Sequence, residues 1–263
     1  MNPEKIREHG YALYRAQRSA STVSSLTDLH PEMTIEDAYR IQQAALGHRQ
    51  SDGERVIGKK IGVTSEAVQR MLNVHQPDFG FLTDWMLFEN GRTLSLKDIG
   101  LIQPRVEGEL AFVLKDDLPA SHVTREAVLA ATEYVIPCFE VVDSRIRDWK
   151  IKIQDTVADN ASCGVFVLGD ARVAPESIDL AAARLDMYKN GQLAGSGFGT
   201  AVQGHPAEAV AWLANTLGAF GIPLRKGEVI LSGSLTPLVP VAAGDMFELS
   251  VTGIGTAAVG FSA

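Results

Sequence analysis

Glu107 and Glu109 stand two residues apart in QPRVEGELAFVLK, residues 103–115, directly before the apolar run Leu110–Leu114. In an extended chain such residues point to one face, so both carboxylates share a side, with Gly108 between them on the other. Like charges that close repel, and burial raises the cost. Either water bathes such a pair or a cation neutralises it. A third carboxylate, Glu140, sits inside another apolar run, YVIPCFEVVD at 134–143. A lone glutamate between Phe139 and Val141 is costly to bury without a partner. Three carboxylates on the inner faces of two neighbouring strands would make an all-oxygen pocket for a hard divalent cation, Mg²⁺ or Mn²⁺. Alternatively, the three pair with Arg105, Arg145 or Lys115 at strand ends. Spacing alone leaves both options open.

Lys60 is the next candidate. It lies in VIGKKIGVT, where alternation sends Lys59 and Lys60 to opposite faces. One of them can be solvated while the other points inward, and an inward lysine near a metal and a substrate carboxylate can serve as acid or electrophile. On an edge strand both would be wet. Asp78, in HQPDFG, follows a proline and has the local signature of a turn former. VADNASCG, 157–164, mixes small and polar residues in the manner of a substrate-lining loop. Other chemistries lack their motifs. The six histidines (His9, His30, His48, His75, His122 and His205) offer no pair at helical zinc-ligand spacing. No G-x-S-x-G elbow presents a serine nucleophile, and GKKIGVTS departs from the P-loop order.

These residues need elements to position them. Helical periodicity is expected over 3–19, and again in TIEDAYRIQQAALGHRQ, where Thr34 caps a face of Ala38, Ile41, Ala45 and Leu46. A turn at Asp52-Gly53 leads into the lysine-bearing strand. SEAVQRML, capped by Ser65, reads as a short helix before the loop NVHQPDFG. Strands are expected at 107–115, 135–143, 228–233, 246–252 and 256–261, with a hairpin about Asn190-Gly191. Helices interrupt at 124–133 and at 206–220, which Gly221 ends. Helices first, then strands with scattered helices, argue for an α+β fold with a mixed sheet or roll. The expected division is an N-terminal helical layer, 1–60, and a β-roll catalytic unit, 61–263. A net charge of −8 opposes binding to nucleic acid or an anionic membrane. No apolar run is long enough to cross a bilayer, the N-terminus lacks a signal-peptide core, and two cysteines without zinc spacing suit a reducing cytoplasm.

GERVIGKKIGVTS, NVHQPDFG, RVEGELAFVL, CFEVVDSRI and DWKIKIQDTVADNASCG together resemble the 2-hydroxypenta-2,4-dienoate hydratases of bacterial aromatic meta-cleavage pathways. These enzymes, also called 2-oxopent-4-enoate or 2-keto-4-pentenoate hydratases, belong with the 4-oxalocrotonate decarboxylases in the fumarylacetoacetate hydrolase superfamily. The resemblance runs from residue 34 to the C-terminus. It implies a mixed β-roll behind a helical layer, with Glu107, Glu109 and Glu140 as ligands of Mg²⁺ or Mn²⁺. It further implies Lys60 and Asp78 as an acid/base pair, and Ser162 and Ser234 as substrate-lining residues. The implied substrate is a small 2-hydroxy-2,4-dienoate, the implied product 4-hydroxy-2-oxopentanoate, and the implied assembly a homo-oligomer that can complex with the decarboxylase. Competing activities are the sister decarboxylation, C–C bond hydrolysis (for which His75 is the only histidine in a suitable loop) and a non-catalytic partner subunit. MLNVHQPDFG, 71–80, is expected to close as a lid, with Pro77 and Gly80 at hinge or turn positions and Met71 and Leu72 over the substrate's apolar end.

Overall fold

The computed structural model describes residues 1–263 except 66, 67, 71 and 72. The helix Pro3–Arg18 comes first, and Ile35–Ser51 follows with the expected Thr34 cap. Thr34 Oγ1 accepts from Asp37 N–H while the Asp37 carboxylate accepts from Thr34 N–H, closing a capping box. The strands are β1 (Val56–Gly62), β2 (Asp78–Thr83), β3 (Leu87–Phe88), β4 (Thr93–Ser95), β5 (Arg105–Leu114), β6 (Thr132–Val142) and β7 (Cys163–Leu168). After them come β8 (Arg184–Lys189), β9 (Gln192–Phe198), β10 (Val229–Ser234), β11 (Val239–Pro240), β12 (Met246–Val251) and β13 (Gly255–Ser262).

Among the described residues the strands form two sheets. One runs β2-β1-β10-β5-β6-β7-β3, with β11 added on β5; the other runs β4-β13-β12-β8-β9. Most neighbours are antiparallel, but β1 with β10, β3 with β7 and β4 with β13 are parallel, so the sheets are mixed and the α+β expectation holds. The Asn190-Gly191 hairpin joins β8 to β9 with φ of 53° and 77°, the left-handed pair that a two-residue turn requires.

The two faces of the first sheet do different work. Val106, Leu110, Phe112, Phe139 and Val141 pack toward the second sheet and the helix Pro206–Ala219 in the main core. Ala111, Val113, Ile136, Cys138, Phe166 and Leu231 make a separate apolar cluster. By strand alternation Ala111 and Val113 share their side of β5 with Glu107 and Glu109. The candidate carboxylates therefore stand above a greasy floor. The helical layer has its own core of Leu13, Leu26, Ala38 and Ile41 with Ile153 and Val157.

Several local expectations change. Asp78 is no turn former: it opens β2, is 2% exposed and pairs in register with Gly62. Gly80 is a strand residue opposite Lys60, so it is neither hinge nor turn, and a lid could not extend into 78–80. Pairing on β1 and burial on both faces of β2 override the local turn signal. Met71 and Leu72 lie outside the described residues. The stretch VADNASCG is not one loop: Val157 and Ala158 finish the helix Ile153–Ala158, Asn160–Ser162 form a single 3-10 turn, and Cys163 begins β7. The helix in 124–133 stops at Ala131, because Thr132 already belongs to β6. β1 crosses residue 60, so Lys60 is held by the sheet, whereas the long helix ends at Ser51.

Asp155 ties the helical layer to the helix that precedes the 159–162 turn. Buried completely, its carboxylate accepts from Thr27 N–H at 3.1 Å, Thr27 Oγ1 at 2.6 Å, Ser25 Oγ at 3.2 Å and Lys152 N–H at 2.9 Å. Asp155→Ala leaves those donors unsatisfied and should destabilise the protein by about 2–3 kcal/mol. Urea titration measures this; a loss below about 0.5 kcal/mol would mean that water replaces the carboxylate.

Candidate functional site

β5 and β6 pair so that Glu107 lies directly opposite Glu140, and Glu109 opposite Cys138. Glu109 and Glu140 are fully buried and Glu107 is 8% exposed. One carboxylate oxygen from each can be chosen so that all three lie within 4.8 Å of one another. Gly108 makes this possible from behind, because a Cβ there would meet Leu185 of the second sheet at 2.9 Å. With no side chain at 108, the second sheet packs tightly against the backbone that carries both glutamates.

The strand-end cations do not reach this cluster. Arg145 is committed to Asp159, Arg105 stacks over Trp149 at 4.5 Å, and Lys115 lies exposed beyond the end of β5. Among the described residues Lys60 is the cation that arrives. Its strand lies between β2 and β10, not at an edge, and Lys60 Nζ stands 3.2 Å from Glu140 Oε1 while donating to the carbonyl of Ala161 at 3.0 Å. Lys59 points the other way, as alternation requires, but it too is buried, paired with Glu228. The expectation of one solvated lysine therefore fails, because the main core covers that face as well.

Asp78 joins from β2. The room between it and Lys60 comes from Gly62, where a Cβ would run into Asp78 Oδ1 and stand 3.2 Å from Lys60 Nζ. Gly233, at φ 111°, donates its N–H to Glu109 Oε2 at 2.8 Å. Gly62 and Gly233 went unnoticed in the sequence, since a glycine's role in close approach depends on a neighbour far away in the chain. Ser234 pairs in register with Glu109, and its Oγ donates to Thr236 O at 2.6 Å. Ser162 is buried with its hydroxyl 3.1 Å from Thr156 Oγ1. The fold thus gathers Lys60, Asp78, the three glutamates and Ser234, whereas the Ser162 hydroxyl is engaged with the preceding helix.

The electrostatics follow from this crowding. Burial pushes the Asp78 carboxyl up to about 6 against the pull of Lys60, and burial with Glu107 nearby carries Glu140 to about 7. Burial, then Glu107 and Glu140, raise Glu109 further. For Lys60, burial disfavours the charge, but Glu140, Asp78 and Glu107 outweigh it and hold the ammonium protonated. Among the described residues, Glu109 Oε1, Glu140 Oε2 and both Asp78 oxygens accept no well-formed hydrogen bond. Buried carboxylate oxygens are rarely left so, and a divalent cation held by Glu107, Glu109 and Glu140 would satisfy those of Glu109 and Glu140. The donor set therefore fits a hard divalent cation. A separate shallow cleft opens between the helical layer and β2, lined by Gln42, Arg49, Phe81, Arg145 and Asn160; none of the seven candidates is among its described lining residues.

Residues 57–261 match the fumarylacetoacetate (FAA) hydrolase C-terminal family. The chain is 69% identical over 257 residues to the 2-hydroxyhexa-2,4-dienoate hydratase of Comamonas testosteroni, covering 98% of this chain and 97% of that one. To the 2-hydroxypent-2,4-dienoate hydratase of Pseudomonas putida it is 59% identical, covering 84% of this chain and all of the relative. Its fold superposes with a TM-score of 0.96 on the 4-oxalocrotonate decarboxylase from Pseudomonas putida G7 complexed with magnesium and adipate, at 34% identity, covering 99% and 98% of the two chains.

The raised carboxyls set a pH dependence. Asp78 and Glu140, with folded values of about 6 and 7 against ordinary values of 3.8 and 4.5, bind protons more tightly folded than unfolded. Their contribution is fully present below the ordinary values and is lost as pH rises through 6 and 7. The metal-free protein should therefore melt lower at about pH 8 than at about pH 5, and the gain on adding Mg²⁺ should grow over that range. Scanning calorimetry with and without Mg²⁺ checks this. A Mg²⁺ effect that is independent of pH would show that the carboxyls do not titrate together with metal binding.

Proposed function

The chain belongs to the fumarylacetoacetate hydrolase family, and from that premise we propose that it is a hydro-lyase adding water to a short 2-hydroxy-2,4-dienoate of aromatic meta-cleavage catabolism. The observation that carries this reading is the 69% identity, over nearly the whole of both chains, to a named 2-hydroxydienoate hydratase. The buried carboxylate cluster beside Lys60 supports it from the chemistry.

Glu107, Glu109 and Glu140 would hold the divalent cation, which when bound supplies a Lewis acid toward the substrate's carboxylate and its neighbouring oxygen. The chain's own groups handle protons. Hydration requires the dienol to lose its hydroxyl proton and gain one at C5, giving an α,β-unsaturated keto acid. Water oxygen then bonds to C4 and a proton goes to C3, so the product, 4-hydroxy-2-oxopentanoate for the five-carbon substrate, has gained one water. Lys60, held charged by three carboxylates, is suited to donate or to stabilise negative charge developing on the substrate oxygen. Asp78, with both oxygens unpartnered among the described residues and its carboxyl near neutrality, is suited to take the proton of the adding water. Ser234, on the rim beside Glu107 and Glu109, would orient the substrate carboxylate. Ser162 would contribute through the turn it ends.

Decarboxylation is the second reading, because the fold of a 4-oxalocrotonate decarboxylase is nearly superposable. The higher identity to the hydratases favours water addition. Association with further copies is supported by exposed Leu193 and Phe198 on the edge strand β9, an apolar surface another copy would cover. A complex with the decarboxylase rests on the resemblance alone. No helix among the described residues is long and apolar enough to cross a membrane; the two free cysteines support placing the enzyme in a reducing cytoplasm.

Loss of the dienol chromophore, followed with and without Mg²⁺ and with product identified by mass, tests the activity: gain of one water is hydration, loss of CO₂ from 4-oxalocrotonate is decarboxylation. Glu109→Gln should weaken Mg²⁺ binding by on the order of 10-fold or more and lower turnover with it. Normal values of both in calorimetric titration and assay would remove Glu109 from the ligand set. Lys60→Ala should lower kcat by about 10²- to 10⁴-fold in a folded protein. Retention of most activity would mean that Lys60 serves the fold alone.

A further inference from the structure

β2 is the outer strand of the first sheet, yet its free edge is engaged. Phe81 N–H donates to Asn160 Oδ1 at 2.8 Å, and Asn160 Nδ2 donates to Phe81 O at 3.0 Å. A single carboxamide thus makes the reciprocal contacts that a residue of a further antiparallel strand would make. Two residues earlier, Gln42 Nε2 from the helix Ile35–Ser51 donates to Phe79 O at 2.8 Å.

Asn160 also begins an uncommon backbone segment. Asn160, Ala161 and Ser162 are all left-handed, with φ of 56°, 51° and 54°. Residues bearing a Cβ incur roughly 1–2 kcal/mol each in that region, where asparagine is among the better tolerated. Three in succession persist only where the surroundings over-determine them. The segment delivers a carbonyl: Ala161 O accepts from Lys60 Nζ. Gly80 permits the approach, since a Cβ there would come within 2.5 Å of Asn160 O.

We propose that Asn160 is a positioning residue for Lys60. By pairing with the edge of β2, its carboxamide holds the turn left-handed, so that the Ala161 carbonyl and the Glu140 carboxylate fix two directions of the ammonium and leave the third for the reaction. This rests on the role given to Lys60 above. Without the carboxamide the turn relaxes, the carbonyl withdraws and the ammonium loses one of the two contacts that fix its direction, while its contact with Glu140 stays. The metal ligands stand on other strands, so the loss falls on turnover and not on binding.

Two variants test it. Asn160→Gly deletes the carboxamide but accepts positive φ; Asn160→Asp keeps the acceptor for Phe81 N–H and loses the donor to Phe81 O. Each is measured for kcat, KM, Mg²⁺ affinity and melting temperature, beside Lys60→Ala and the double variant Lys60→Ala/Asn160→Gly. We expect kcat to fall roughly 10- to 100-fold in Asn160→Gly and less in Asn160→Asp, with KM and Mg²⁺ affinity within about twofold. The double variant should be no slower than Lys60→Ala alone. Unchanged kcat in both Asn160 variants overturns the proposal. So does a parallel decline of kcat, KM, Mg²⁺ affinity and melting temperature, failure of both variants to fold, or an additive loss in the double variant, because each marks a purely structural role. Full activity of Lys60→Ala would instead sink the role of Lys60 itself. A crippled Lys60→Ala beside active Asn160 variants sinks this inference alone.

Discussion

Glu107 and Glu140 face each other across neighbouring strands, Glu109 stands one pleat along, and Glu109 and Glu140 are sealed from solvent. Three carboxylates so placed cannot all be charged without a compensating cation, and Asp78 adds a fourth acid. Among the described residues Lys60 is the cation seen at the cluster, and it supplies one positive charge. The remainder has to be met by protons or by a divalent ion, and much of the surrounding structure follows from that imbalance. The backbone N–H of Gly233 is spent on Glu109, and the Ala161 carbonyl on Lys60. An apolar floor of Ala111, Ile136, Phe166 and Leu231 keeps the local dielectric low, which strengthens whatever cation is held there.

Glycine is the means by which these charges are brought close. Gly108 lets the second sheet press against the backbone between the glutamates, and Gly62 leaves space where Asp78 and Lys60 approach. Gly80 lets the Asn160–Ser162 turn lie against β2. At none of these three does the backbone require positive φ; in each the missing side chain is what matters. Larger residues would separate the elements that carry Lys60, Asp78 and the three glutamates.

The fold match to a 4-oxalocrotonate decarboxylase and the closer sequence match to dienoate hydratases share a physical explanation. Both reactions develop negative charge on a 2-oxo acid next to a carboxylate, and a cation held by the three glutamates would stabilise that charge in either case. What differs is where protons and water are admitted.

The acid cluster was legible in the sequence because strand alternation is local: Glu107 and Glu109 must share a face wherever the strand lies, and Glu140 inside an apolar run must find a partner. The long helices, the Thr34 cap, the Asn190-Gly191 hairpin and the principal strands were legible for the same reason, each being encoded within a few residues. The choice between strand-end cations and a shared cation site was not local. It turned on the register that sets Glu107 opposite Glu140 and on Arg145 being taken by Asp159. Asp78 and Gly80 looked like turn residues because their neighbours in sequence are Pro77 and Phe79; pairing with β1 made them strand. Nor could sequence show that Lys59 and Lys60 are both buried, or that an asparagine in a loop completes the edge of a sheet. Those facts depend on which elements meet across a hundred residues of chain, and only the packed tertiary structure decides that.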